Sequence, residues 1–122
     1  MSSPPEFVAR QLTHAFLRAF CHADSKAIER LLAEELRFNG PLFSGTSAES
    51  YMVQLRKSLP ERAVYEVIFE SVEDDRCAVF FEYCKEGAEP MVMAMLCRTD
   101  HAKIKEITLA FDTAGVKVEA GT

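Results

Sequence analysis

An isolated amide, Asn39, stands in the stretch LRFNGPLFSG (residues 36–45), between Phe38 and the turn-forming pair Gly40-Pro41. An asparagine side chain that points into a cavity can orient a water molecule or stabilise a developing oxyanion. Before a Gly-Pro turn, the same side chain can instead satisfy the backbone groups of the turn. The sequence leaves both roles of Asn39 open.

A carboxylate, Asp112, ends the apolar segment IKEITLAFD (residues 104–112). Alternation along this segment predicts a strand with Asp112 on the face opposite Leu109 and Phe111. If that face turns inward, the carboxylate is costly to bury unless it is paired, and Arg37 and Lys85 are the cations placed to pair with it. Such an aspartate could act as a general base. It could also be a turn residue before the small residues that follow.

Three helices are predicted ahead of the strands. The first has apolar residues at helical spacing, among them Leu12 and Phe16, and opens at Pro4-Pro5. Asp24 is a suitable N-cap for a shorter second helix. The third begins at the capping-box sequence TSAE (residues 46–49) and is expected to end at Pro60.

After Pro60 the apolar period changes from 3.6 to 2, which predicts four strands. Short connections indicate an antiparallel meander of hairpins, and a further short strand is expected at residues 36–39. The chain is predicted to be one domain, 1–122, with a tail that frays from about residue 114. The four strands are expected at residues 64–72, 77–85, 91–98 and 104–112.

Composition narrows the class of protein. The net charge of −5 argues against nucleic acid as a partner, since phosphate binding needs a basic patch. No apolar run is long enough to cross a bilayer, and the N-terminus does not resemble a secretory signal, so a cytoplasmic protein is expected. The four cysteines have no CxxC spacing, which predicts reduced thiols and no zinc site.

The meander is apolar on both faces, although the helices can cover only one of them. A second copy of the chain is the economical cover for the other face, since most oligomers are symmetric dimers. The sequence therefore predicts a homodimer through the sheet face that bears Phe80, Leu96, Leu109 and Phe111.

The order helix, helix, short strand, helix and meander resembles the cone-shaped α+β fold of nuclear transport factor 2-like proteins. The resemblance is carried by FLRAFCHADSKAIERLLAEELRFNGP, FSGTSAESY and AKIKEITLAFD. It implies three N-terminal helices packed on a curved antiparallel sheet, an arrangement also called cystatin-like. That superfamily includes ketosteroid isomerases, limonene-epoxide hydrolases, SnoaL-like cyclases and non-catalytic binding modules, so the fold alone does not decide function.

The catalytic sets of two of these families are absent or incomplete. The three groups that a ketosteroid isomerase requires fall here on Gly40, Phe16, and Ala94 or Met95, so that activity is not expected. Compared with a limonene-epoxide hydrolase, Asn39, Pro41 and Asp112 match. The tyrosine of that family is Arg37 here, however, and its Arg-x-Asp pair falls on Tyr83 and Lys85.

Two hypotheses follow from the resemblance. In the first, the protein is a SnoaL-like enzyme that acts on a small apolar oxygenated molecule without a metal or cofactor. Asp112 would be the general base, and Asn39 and Tyr83 would orient water or an oxyanion. In the second, the protein is a non-catalytic dimeric ligand-binding or scaffold domain with a filled cavity. The residues expected to bind a ligand are Arg37, Phe16, Phe81, Met93, Thr108 and, near the mouth, Lys85.

Overall fold

The computed structural model describes residues 4–58 and 62–113, in which three helices pack on one face of a curved, mostly antiparallel six-stranded sheet. This is the predicted α+β class. The helices are α1 (Pro5–Cys21), α2 (Ser25–Leu31) and α3 (Ala48–Ser58). The strands are β1 (Leu32–Asn39), β2 (Ser44–Gly45), β3 (Ala63–Glu73), β4 (Arg76–Lys85), β5 (Met91–Asp100) and β6 (Lys103–Phe111).

The sheet has the strand order β2-β1-β6-β5-β4-β3. Strands β3 to β6 form the predicted antiparallel meander. The first strand is twice as long as expected, and it extends the sheet by pairing in parallel with β6. In this pairing Phe38 lies beside Ile107, and Asn39 lies beside Thr108.

Side-chain caps start the two shorter helices, as their sequences predict. The carboxylate of Asp24 accepts a hydrogen bond of 3.1 Å from the backbone N–H of Ala27 at the start of α2. At α3, Ser47 is the capping residue, one position later than the predicted capping box, and its Oγ accepts a bond of 3.0 Å from the N–H of Ser50. The predicted stop at Pro60 and the predicted frayed tail from about 114 lie outside the described residues.

The core lies between α1 and the inner face of the sheet, defined as the face that the helices cover. Alternate residues of β4, Cys77, Val79, Phe81 and Tyr83, are all buried there. On β1 the inward residues are Leu36 and Phe38. The opposite face of the sheet is called the outer face below.

The dimer face predicted from sequence is partly wrong, because two of its residues on β6 point to the other face of the sheet. Leu109 lies beside Met95, and Phe111 lies beside Met93, so both point to the inner face. Phe80 and Leu96 are on the outer face and are exposed, as expected. A β-bulge between Arg98 and Thr99 shifts the pairing of β5 with β6. Because a shift of one residue moves a side chain to the opposite face of the sheet, this bulge explains why the predicted face was wrong for β6.

The cysteines of the structure are free, three of them buried and Cys84 partly exposed. Within residues 4–58 and 62–113, no helix is long and apolar enough to cross a membrane.

Candidate functional site

A cavity of about 280 Å³ opens between the helices and the inner face of the sheet. Its wall is formed by residues of α1 and α3, of β1 and the turn after it, and of β4, β5 and β6. The lining residues are Phe16, Leu17, Phe20, Cys21, Phe38, Gly40, Pro41, Leu42, Phe43, Tyr51, Leu55, Phe81, Tyr83, Lys85, Met91, Met93, Met95, Ile107, Leu109 and Phe111. Because most of these side chains are apolar, the cavity is suited to an apolar molecule.

An aromatic cluster forms one wall of the cavity. The ring of Phe38 lies 4.7 Å from that of Tyr51 and 4.9 Å from that of Phe43, between centroids. Phe16 on α1 extends the cluster, with its ring 6.4 Å from Tyr51. These separations are those of favourable aromatic pairs. The packed rings therefore join α1, α3 and β1 along one side of the cavity.

Two tyrosines, Tyr51 and Tyr83, are among the residues that line the cavity. Burial raises the pKa of Tyr83, and the nearby Cys21 thiol raises it further. Burial likewise raises the pKa of Tyr51, with a smaller contribution from Cys97. Both hydroxyls therefore stay protonated at neutral pH and can donate a hydrogen bond to an oxygen atom of a ligand.

The mouth of the cavity is formed by exposed residues of the β1–β2 turn and of the end of β4. Leu42 is 48% exposed, and Lys85 at the end of β4 is also exposed. The turn closes with a hydrogen bond of 3.1 Å from the N–H of Gly40 to the carbonyl of Phe43. A Cβ at Gly40 would lie 2.8 Å from Cε1 of Phe38, so glycine lets this turn pack against the ring. Lys85 is the one cation among the lining residues described.

Five of the residues predicted to line the cavity do so. Phe16, Phe81, Tyr83 and Met93 form part of its wall, and Lys85 is at the mouth, where it was expected.

The predicted cavity positions of Arg37, Asn39, Thr108 and Asp112 are wrong. Arg37, Asn39 and Thr108 are exposed on the outer face, because Leu36 and Phe38 take the inward positions of β1 and Ile107 and Leu109 those of β6. Asp112 follows the last residue of β6 and is exposed. The expected pairing of Asp112 with Arg37 or Asn39 inside the cavity is therefore also wrong.

Sequence reasoning missed several lining residues, of which Tyr51 is the most consequential. It is buried on α3, and it also belongs to the cavity wall. Leu109 and Phe111, which were assigned to the dimer face, belong to this wall as well. The alternation of Phe38 with Arg37 and Asn39 was a signal that could have found the correct face of β1.

The lining offers hydrogen-bond donors and apolar surface, but no carboxylate and no imidazole among the residues described. No cluster of three histidine, cysteine, aspartate or glutamate residues in the described part of the chain could hold a metal ion. The chemistry available at this site is therefore binding and polarisation of a ligand oxygen by protonated phenols and a lysine.

Comparison with solved structures identifies the fold. A putative ketosteroid isomerase from Kribbella flavida superposes with a TM-score of 0.78 at 15% identity, covering 91% of this chain and 82% of that one. An LEH-like epoxide hydrolase of M. tuberculosis gives 0.76 at 14% identity, covering 90% and 86%. An NTF2-like protein of unknown function from Cytophaga hutchinsonii gives 0.72 at 22% identity, covering 86% and 90%.

These similarities show that the chain has the nuclear transport factor 2-like cone fold, as the resemblance in sequence implied. No protein-family model matches the sequence. The comparison with curated proteins gave no match.

Proposed function

We propose that the protein binds a small, largely apolar molecule in the cavity, with a polar or anionic end of the ligand at the mouth. The observation that carries this proposal is the open cavity of about 280 Å³ with an almost wholly apolar wall. Similar folds occur in an epoxide hydrolase and a putative ketosteroid isomerase, whose names imply small organic substrates.

The volume limits the size of the ligand. Liquid water occupies about 30 Å³ per molecule, so the cavity has room for on the order of ten non-hydrogen atoms. A molecule of two fused rings, or a short branched chain, fits this limit. The open mouth lets a polar substituent remain in contact with water.

The polar groups of the wall set the orientation of the ligand. The protonated phenols of Tyr51 and Tyr83 lie inside, where they can donate to a hydroxyl or carbonyl oxygen. Lys85 lies at the mouth, where its ammonium can pair with a carboxylate that stays partly hydrated. A lipophilic molecule with an oxygen function at one end therefore fits both parts of the site.

The geometry favours binding over the predicted general-base mechanism. A base must come within hydrogen-bond reach of the proton that it removes. Asp112 and Asn39 are exposed and are not part of the cavity wall, so they do not reach a ligand held there. The second hypothesis predicted a filled cavity, however, and the cavity is open. We therefore infer a ligand-binding domain without the Asp112 mechanism.

Two fluorescent probes of matched size, 1-naphthol and 2-naphthoic acid, test this proposal. Both are expected to bind, the first through the phenols and the second also through Lys85. The variant Lys85→Gln should weaken binding of 2-naphthoic acid roughly two- to fivefold, the range for an exposed ion pair. It should leave the affinity for 1-naphthol unchanged. Equal loss for both probes would contradict the assigned role of Lys85.

A blocking variant tests whether the probes occupy the cavity. Leu109→Trp places an indole in the open space and should abolish binding of both probes. The matched control is Val53→Trp, because Val53 is 46% exposed on α3 and outside the cavity. Met93→Phe provides a smaller filling change if the first variant folds poorly. Undiminished binding to well-folded Leu109→Trp and Met93→Phe would overturn the proposal.

A further inference from the structure

Aromatic side chains are concentrated in the wall of the cavity. The chain has nine phenylalanines and three tyrosines, and eight of these side chains are among the described lining residues. Three of its five methionines, Met91, Met93 and Met95, line the same space. Aliphatic side chains would make an equally apolar wall. The composition of the wall therefore limits the class of ligand more closely than its low polarity does.

Six of the rings form a continuous series around part of the cavity, here named the aromatic arc. In order of contact, the series consists of Tyr83, Phe20, Phe16, Tyr51, Phe38 and Phe43. The centroids of successive rings are 4.7 to 6.4 Å apart, within the range of favourable aromatic pairs. Because each ring packs against the next, the arc presents a fixed aromatic surface to whatever enters the cavity.

The inner face of the sheet forms the floor of the cavity, and a methionine lies at the centre of this floor. Met93 on β5 pairs with Phe81 of β4 on one side and with Phe111 of β6 on the other. Residues that pair directly across antiparallel strands point to the same face, and all three line the cavity. Helix α1, which carries two rings of the arc, packs over β4 and β5. A ligand in the cavity therefore lies between these rings and the side chain of Met93.

Both surfaces favour an aromatic ligand over a saturated one. An aromatic ring gains stabilisation from offset or edge-to-face contacts with other rings. A thioether sulfur also makes favourable contacts with aromatic rings, and the flexible methionine side chain can adjust to a flat molecule. A saturated ring system of the same size releases water on binding but makes neither of these contacts.

We propose that the cavity selects planar aromatic molecules of one or two rings over saturated molecules with the same carbon skeleton, and that the ligand ring is held between the aromatic arc and Met93. This inference rests on the proposed function, because it assigns the chemical class of the ligand bound in the same cavity. Hydrophobic transfer alone predicts the opposite preference, since a saturated bicycle has more apolar surface than naphthalene.

Calorimetric titration with 2-naphthoic acid and its saturated counterpart, decahydro-2-naphthoic acid, tests the inference. Both acids carry a carboxylate at pH 7, so their interaction with Lys85 is matched. The aromatic acid is expected to bind at least about fivefold more tightly. Equal affinities, or tighter binding of the saturated acid, would overturn this inference and leave the proposed function standing. If neither acid bound, the proposed function would fail, and this inference with it.

Two variants test the residues that are assigned to this selectivity. Met93→Leu removes the sulfur and keeps an apolar side chain of similar volume. Phe20→Leu removes a ring of the arc at a position that is only partly buried. Each variant should lower the ratio of the two affinities roughly two- to tenfold, through weaker binding of the aromatic acid.

The same substitutions outside the cavity wall are the matched controls. Met52→Leu changes a buried residue of α3, and Phe7→Leu changes a residue near the start of α1 that is 54% exposed. Both should leave the affinity ratio unchanged. A variant that only damages the cavity weakens both acids together, whereas loss of an aromatic contact weakens one of them. An affinity ratio unchanged in both Met93→Leu and Phe20→Leu would overturn the assignment to the arc and Met93.

Discussion

Nε2 of His14 on α1 lies 2.7 Å from Oε2 of Glu70 on the edge strand β3. The other carboxylate oxygen of Glu70 accepts a hydrogen bond of 3.0 Å from Nε of Arg10. One carboxylate thus bonds to residues on two successive turns of α1 and connects this helix to the edge strand of the sheet. Its side chain is 20% exposed, so the cluster is partly shielded from water.

The stability of the protein is expected to fall at acidic pH because of Glu70. The hydrogen bond from His14 lowers the pKa of Glu70 below its ordinary value of 4.5, against the opposing effect of burial, and Arg10 lowers it further. A carboxyl whose pKa is lowered by folding stabilises the fold above its unfolded pKa, and this contribution is lost as the pH falls through the folded pKa. Urea unfolding between pH 7 and about pH 3 would measure the decline.

Two variants separate Glu70 from the other carboxylates. Glu70→Gln should be less stable than the native chain at pH 7 and should lose less stability on acidification. His14→Ala removes the largest cause of the shift, so the pKa of Glu70, followed by NMR, should rise towards 4.5. An unchanged Glu70 titration in His14→Ala would contradict this account of the cluster.

Thiol labelling is expected to distinguish Cys84 from the three other cysteines. Burial raises the pKa of Cys21 to about 11 and that of Cys97 to about 12, and it raises the pKa of Cys77 as well. Since the thiolate is the reactive form, these three should resist a disulfide reagent at pH 8 in the native protein. Cys84 is partly exposed and should react.

Mass spectrometry after brief labelling would show one modified thiol in the folded protein and four after denaturation. In Cys84→Ser the native protein should remain unlabelled. Rapid modification of Cys77 or Cys97 would mean that the sheet opens readily around α1, contrary to the burial of these thiols in the folded chain.

Ala102→Gly is expected to stabilise the β5–β6 hairpin. His101 and Ala102 both have positive φ, of 50° and 60°, as in the two-residue turns that match the twist of a hairpin. Such a φ costs roughly 1–2 kcal/mol for a residue with a Cβ, and glycine avoids this cost. After the added flexibility of the unfolded chain is subtracted, a net gain of up to about 1 kcal/mol remains.

Equilibrium unfolding of Ala27→Gly is the matched control for this substitution. Ala27 lies inside α2, where glycine should destabilise by about 0.5–1 kcal/mol. A loss of stability in Ala102→Gly as well would show that the turn does not constrain the chain as described.

The helices, the meander and the fold class could be predicted from the sequence, because each of them depends on local signals. Asp24 caps α2 as predicted, and β4 alternates as predicted. The face of β1 and of β6 was predicted from the resemblance, with Asn39 and Asp112 placed inside. The local pattern pointed the other way, since Phe38 is flanked by Arg37 and Asn39, and it was correct.

Other parts of the site depend on contacts between distant segments. The parallel pairing of β1 with β6 sets Asn39 beside Thr108 on the outer face, and nothing in either segment alone specifies this pairing. Nor does the sequence of α3 indicate that Tyr51 packs against Phe38 in the wall of the cavity. A void of this kind results from the summed volumes of several layers, so no local pattern determines whether it is open or how large it is.

Tyr83 and Asp112 are expected to respond oppositely to conservative substitution. Tyr83→Phe removes a protonated phenol from the cavity wall and keeps the ring, which lies 6.0 Å from that of Phe20. Loss of one hydrogen bond to the ligand should weaken the binding of 1-naphthol by about 0.5–1.5 kcal/mol, or roughly two- to twelvefold in affinity. Asp112→Asn alters an exposed residue outside the wall and should leave the affinity unchanged. Fluorescence titration of both variants would measure this contrast. If Asp112→Asn weakened the probe more than Tyr83→Phe, the ligand would have to lie elsewhere than in this cavity.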